Sequence, residues 1–256
     1  MNRRIMSGIY GLDKILGGGF IENTVNAVLG GPGSGKTIFC MNFILEGLEN
    51  GNRCLYASPD LDADDFLRLA ASMYWDLSGY LENGQLEVEM LSQEDVPNLL
   101  KNVLRYDRIV VDSISPIVVD MDSKERKNLN WFLKNLKANG TALITVEEPV
   151  YRSEEIVVFL ADSIINLKYT GYGGPYSRTL RVLKHRMSWH GEGVYPFYII
   201  NGVGIVVDER RGEGFEVEEL DLPEIAMEKI RDLCRRGALT REDVEKIKRR
   251  VAWSKG

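Results

Sequence analysis

The residues best suited to chemistry stand together near the amino end: Gly30-Gly31-Pro32-Gly33-Ser34-Gly35-Lys36-Thr37, in the pattern G-x-x-x-x-G-K-[ST]. This spacing is a phosphate-binding signature. Glycines let successive backbone N–H groups turn inward and allow a phosphate to come close. Lys36 is placed to reach the β- and γ-phosphates of a nucleotide, and the Thr37 hydroxyl to hold Mg²⁺. A second candidate is Asp112. Arg108-Ile109-Val110-Val111 reads as a buried strand that runs straight into this acid. An acid at the end of such a strand can bind the Mg²⁺ shell through water, completing a nucleoside-triphosphate site.

These groups need elements to position them. Residues 23–29 read as a short buried strand, and Ile38, Phe39, Met41, Phe43, Ile44 and Leu45 place an apolar stripe on a helix. The loop thus lies between a strand and a helix, whose positive end adds to the phosphate site. Gly51 closes this helix. A second strand is expected at 53–58, with Pro59-Asp60-Leu61 as a turn and Asp62 and Asp65 as a capping box for the next helix. Further expectations are a strand at 86–91, a helical segment at 99–104, a helix at 124–139 ended by Gly140, and strands at 142–146, 163–167 and 179–183. Residues 171–175 read as a turn, and 197–200 with 204–207 as a hairpin around Asn201-Gly202. Strands alternate with helices early and pair late, which predicts an α/β fold with an antiparallel extension. Residues 7–19 suit a short helix ended by three glycines. The expected division is a 1–209 domain, a 210–222 linker and a 223–256 two-helix tail, its second helix capped by Thr240 and Asp243.

Composition narrows the function. The 256 residues are 44% hydrophobic and 27% charged, enough for a sizeable core in a globular protein. A net charge of −6 argues against broad nucleic-acid binding. Cys40, Cys54 and Cys234 are far apart, with neither a disulfide framework nor zinc spacing, which fits a reducing cytoplasm. No apolar run reaches the ~20 residues of a membrane span, and no signal core follows the basic start.

The stretch from Ile5 to about Asp208 resembles a single KaiC-type domain of the RecA-like P-loop ATPase superfamily. The resemblance rests on ordered matches: Ser7-Gly8-Ile9-Tyr10-Gly11-Leu12-Asp13, the glycine loop, Val110-Val111-Asp112-Ser113, Ser72-Met73-Tyr74-Trp75-Asp76-Leu77, and Leu183-Lys184-His185-Arg186-Met187-Ser188-Trp189-His190 followed by Tyr195-Pro196-Phe197. It implies a RecA-like core, a mainly parallel sheet flanked by helices, with ATP and Mg²⁺ bound between subunits of a homo-oligomer, usually a hexameric ring. The nucleotide contacts it implies are Gly31, Pro32, Gly33, Ser34, Gly35, Lys36, Thr37, Ile38, Ser72, Lys184, Arg186, Ser188 and His190, with Thr37 and Asp112 at the metal. Lys184 and Arg186 would reach the neighbour's γ-phosphate; His190 is equally readable as a structural histidine.

The chain departs from the family at Asp60-Leu61, where a pair of acids usually stands and the first polarises the attacking water. Asp60 is a shortened general base or a turn residue, and the sequence leaves both open. The functions compatible with these residues are a slow Mg²⁺-dependent ATPase acting as an oligomeric switch, or a non-hydrolysing ATP sensor whose tail presents a partner surface. A DNA recombinase is disfavoured by the acidity and by the short segment after Glu147.

Overall fold

The computed structural model describes residues 3–91, 105–118, 126–138, 140–149, 152–173, 177–209 and 214–253. The helical segment expected at 99–104 lies outside these residues. So do parts of the turn expected at 171–175 and of the linker, and both ends of the 124–139 helix.

A small ladder of β1 (Arg4–Ile5) and β2 (Phe20–Ile21) encloses α1 (Leu12–Ile15). β3 (Val25–Gly30) then leads through the glycine loop into α2 (Lys36–Glu49). β4 (Cys54–Ser58), α3 (Ala63–Ser72), α4 (Ser78–Glu82) and β5 (Leu86–Met90) follow. Next come β6 (Arg108–Val111), α5 (Ser115–Val118), α6 (Arg126–Leu136), β7 (Thr141–Glu147), α7 (Arg152–Leu160) and β8 (Ser163–Tyr169). β9 (Arg178–His185), β10 (Tyr195–Ile200) and β11 (Gly204–Val207) complete the strands, and α8 (Glu224–Arg235) and α9 (Arg241–Trp253) form the tail.

One nine-stranded sheet runs in the order β11-β10-β9-β8-β3-β7-β6-β4-β5. The strands from β8 to β5 are mutually parallel; β9, β10 and β11 are antiparallel additions. This is the expected α/β architecture, and the parallel part explains the continuous apolar strands. β3 is buried at every position because helices cover both faces. Alternate residues serve opposite layers. Val28, Tyr56, Val110, Leu143 and Ile165 pack with α2 and α3, while Ala27, Leu29, Leu55, Ile109 and Ile144 pack with α6 and α7.

α2 is enclosed on several sides, with Phe39 to Leu48 all buried. Its Asn42 is fully buried and accepts from Ile205 N at 3.0 Å, tying the loop's helix to the β10–β11 hairpin. Gly204 has φ +90, and a Cβ there would lie 2.3 Å from Asn42 Nδ2, so this turn needs glycine. The expected caps form: Asp65 N donates to Asp62 Oδ1 at 2.8 Å, and Thr240 N donates to Asp243 Oδ2 at 2.7 Å.

The tail packs onto the sheet edge. Met227, Ile230, Leu233, Ile247 and Val251 form a third core with Ile200, Val203 and Val206. Leu220, within the expected linker, is buried in that core. Beneath it Arg250 reaches both acids of α2. Its Nε donates to Glu49 Oε1 at 2.8 Å and its Nη2 to Glu46 Oε2 at 3.1 Å. Lys246 also pairs with Glu46. Burial alone would raise the Glu46 carboxyl, but these cations outweigh it and hold the group below its ordinary range.

Candidate nucleotide site

The glycine loop opens at the carboxyl edge of the sheet, where β3 hands over to α2. Crevices at this edge are where open α/β sheets bind ligands. Gly33 (φ +70) and Gly35 (φ +106) adopt backbone conformations that side chains disfavour, which turns the intervening amides. Lys36 Nζ donates to the loop's own carbonyls, Gly30 O at 2.7 Å and Gly31 O at 3.2 Å. The Ser34 hydroxyl is buried without a hydrogen-bond partner among the described residues. A glycine cradle, a lysine folded across it and an unmatched buried hydroxyl are the donors a phosphate chain requires. Pro32 lies exposed in the loop, and Ile38 is half-buried against the main core.

Asp112 follows β6 and is buried. Tyr56 Oη donates to its Oδ2 at 2.5 Å, and Thr145 Oγ1 donates to its Oδ1 at 2.6 Å. The Thr37 side chain lies beside the same Tyr56 phenol. Thr37 and Asp112, far apart in sequence, therefore meet at one hydroxyl beside the loop. Burial, and then the Asp112 charge, hold the phenol well above its ordinary pKa, so it stays a donor. The hydroxyl and carboxylate present fit a hard divalent cation such as Mg²⁺. Sequence reasoning missed Tyr56 and Thr145. Tyr56 reads as an apolar strand position, and only the pairing of β4 with β6 reveals its reach.

Asp60 is exposed in the turn after β4, where its N–H, with that of Leu61, donates to Ser58 Oγ at 3.2 Å. β7 and β6 separate β4 from β3, which puts the two strand axes roughly 14 Å apart. Ser72 sits at the carboxyl end of α3, its hydroxyl turned back to Leu69 O at 2.7 Å.

The late-motif residues lie elsewhere. β9 runs antiparallel to β8, with Arg178 beside Tyr169 at the loop edge and His185 beside Ser163 at the foot of the sheet. Lys184 Nζ donates to Phe159 O at 2.9 Å and also to Ala161 O, while Arg186 Nη2 reaches Phe159 O at 3.4 Å. Both cations thus sit on the last turn of α7, a favourable place for positive charge. Burial, and then Arg186, push the Lys184 ammonium below its ordinary range. Ser188 Oγ accepts from Arg4 Nη2 at 2.6 Å, and His190 Nδ1 lies 3.2 Å from Gly191 O. His185 is buried and bonded through Nδ1 to Ser163 Oγ at 2.6 Å, so it is a core residue of this strand end. The structure brings Lys36, Thr37 and Asp112 to one edge and places Lys184 and Arg186 away from it.

The three cysteines are free and buried, and burial pushes Cys54 and Cys234 up to about 12. Among the described residues no helix is long and apolar enough to cross a membrane.

Comparison with known proteins agrees with the fold. A solved KaiC-like protein of the hyperthermophilic archaeon Pyrococcus horikoshii OT3 superposes with a TM-score of 0.69 at 30% identity, covering 81% of this chain and 99% of that one. A UPF0273 protein of Pyrococcus horikoshii is 28% identical over 247 residues, 85% of this chain and its own whole length. The circadian clock oscillator protein KaiC of a Picosynechococcus strain is 26% identical over 225 residues, 82% of this chain. The match spans only 44% of that clock protein's length. Residues 5–212 match the family model described as "ATPase: KaiC", and the chain belongs to that family.

Proposed function

We propose that this chain binds ATP with Mg²⁺ and hydrolyses it slowly, as one subunit of a homo-oligomer that responds to the nucleotide. The observation that carries the reading is the meeting of Thr37, Tyr56 and Asp112 beside the lysine-covered loop. Gly31 to Ile38 would cradle the phosphates, with Lys36 leaving its loop carbonyls for the phosphate oxygens. Thr37 and Asp112 would hold Mg²⁺, which when bound neutralises charge on the β- and γ-phosphate oxygens. Asp60 would orient a water and take its proton. As water adds to the γ-phosphorus, the bond to the β,γ-bridging oxygen breaks, giving ADP and inorganic phosphate. Lys184 and Arg186 stand on the opposite side of the fold from their own loop. That placement supports their acting on the nucleotide of a neighbouring copy, where they would stabilise charge on the γ-phosphoryl group. Ser72, Ser188 and His190 belong to the same shared site in this reading. Buried thiols and a net charge of −6 support a reducing compartment and a function without nucleic acid.

A non-hydrolysing sensor is the second reading, favoured by the exposed, one-carbon-shorter Asp60. Calorimetry with ATP and Mg²⁺ tests binding: Lys36→Ala should abolish the heat, and an unchanged isotherm would sink both readings. Single-turnover assays of Asp60→Glu beside the parent then separate them. No turnover in the parent with a gain in the variant identifies the sensor.

A further inference from the structure

A cavity of about 940 Å³ is lined by residues from two parts of the chain, none of them in the glycine loop. From the ATPase domain come Arg178, Tyr198 and Ile199; from tail helix α8 come Ile225, Glu228 and Lys229. Two of these residues touch the loop itself. Arg178 Nη1 donates to Gly33 O at 2.6 Å, with its guanidinium stacked 4.1 Å from the Tyr169 ring. Ile199 Cδ1 lies 3.1 Å from where a Cβ on Gly35 would stand. Among the lining residues, Lys229 Nζ packs directly on the Tyr198 ring, 3.6 Å from its centre. Ile225 is 85% exposed in an otherwise apolar-inward helix, so its side chain is free to face a ligand. α8 lies beyond the residues that match the family model.

We propose that tail helix α8 is a wall of the nucleotide site, contacting the nucleoside half of a triphosphate whose phosphates occupy the loop. The inference rests on the phosphate-loop reading above and adds the tail to it. A ligand gripped by its phosphates at Gly33–Lys36 must direct its base and sugar to an adjoining space. This cavity shares Arg178 and Ile199 with the loop and has room for a nucleoside beside apolar and aromatic surface. The tail is also fixed to the far end of the loop's own helix through Arg250. Nucleotide identity would therefore be read in part by a segment outside the ATPase domain, and tail packing would answer to occupancy.

The test compares ATP with inorganic tripolyphosphate, which has the phosphates and no nucleoside, each with Mg²⁺ and the full chain. Ile225→Trp and Glu228→Trp add bulk at exposed positions of α8, so thermal melts should match the parent. ATP affinity should fall about tenfold or more in both variants, with tripolyphosphate affinity within about twofold. The added indole should change its emission with residual ATP binding and not with tripolyphosphate. ATP affinity unmoved in both variants overturns the inference while leaving the phosphate loop intact. Equal loss of both ligands also overturns it, since the effect would then reach the loop itself. A parent that binds neither ligand overturns the loop reading and this inference together.

Discussion

Tyr56 donates a hydrogen bond to Asp112 at 2.5 Å with the Thr37 side chain beside its phenol, so one hydroxyl stands between the two groups proposed for the metal. A hydrogen bond to a charged group contributes about 1.5–3 kcal/mol. Tyr56→Phe should therefore raise the Mg²⁺ concentration for half-saturation about tenfold, while metal-free nucleotide binding stays unchanged; Mn²⁺ titration followed by electron paramagnetic resonance checks this. A second residue-scale prediction concerns acid. Burial, then Arg4 and His190, push His185 down to about 4 from an ordinary 6.5. Between these values the unfolded chain takes up a proton that the folded one refuses, so this group's contribution falls as pH drops from 6.5 towards 4. Asp13 opposes it: burial lifts its carboxyl to about 6, so it favours the fold as pH falls from 6 towards 4. His185→Gln should consequently lose less melting temperature than the parent between pH 7 and pH 5, measured by calorimetry. At this scale the placement of the loop between a strand and a helix, and of Asp112 at the end of a strand, was legible, because both are written in local spacing. Tyr56, Thr145 and the buried state of His185 were not, because each depends on which strands lie side by side.

Among the elements, the parallel strands and helices α2, α3 and α6 follow from apolar periodicity, while α7 was not read; the Thr240–Asp243 capping box closes both ways, and Asp62 caps α3 through one bond from Asp65 N. The two-residue strands β1 and β2 and the five-residue α4 carry too little pattern to be read. The attachment of α9 to α2 was also hidden, since Arg250 and Glu49 are 201 residues apart. Arg250 is only 4% exposed, and removing one member of a buried ion pair leaves a charge uncompensated. Arg250→Ala should lower unfolding free energy by about 3 kcal/mol in urea, and adding Glu46→Gln should recover part of it. Simple additivity of the two substitutions would deny the coupling. Nor does sequence disclose that Arg108 opens β6 with a buried guanidinium, donating to Phe43 O at 2.8 Å beneath α2.

For the whole molecule, the antiparallel return of β9 carries the late motif from the loop edge to the foot of the sheet. If those cations serve a neighbour, ATP with Mg²⁺ should shift the chain to a larger species in light scattering, and Lys184→Ala with Arg186→Ala should weaken turnover more than binding. A monomer under all conditions would remove the shared site. The order of motifs along the chain was readable from the start; the side of the molecule on which each emerges was not, because strand direction is a property of the assembled sheet.

That separation of gripping end from cationic end has a genetic flavour. A copy with a dead loop still carries sound cations, and a copy with dead cations still carries a sound loop. If the proposed shared site holds, then mixed in equal parts, two individually silent proteins, Lys36→Ala and the Lys184→Ala/Arg186→Ala pair, should regain about a quarter of the parental turnover by head-to-tail complementation. Were each molecule self-sufficient, the mixture would stay as silent as its ingredients.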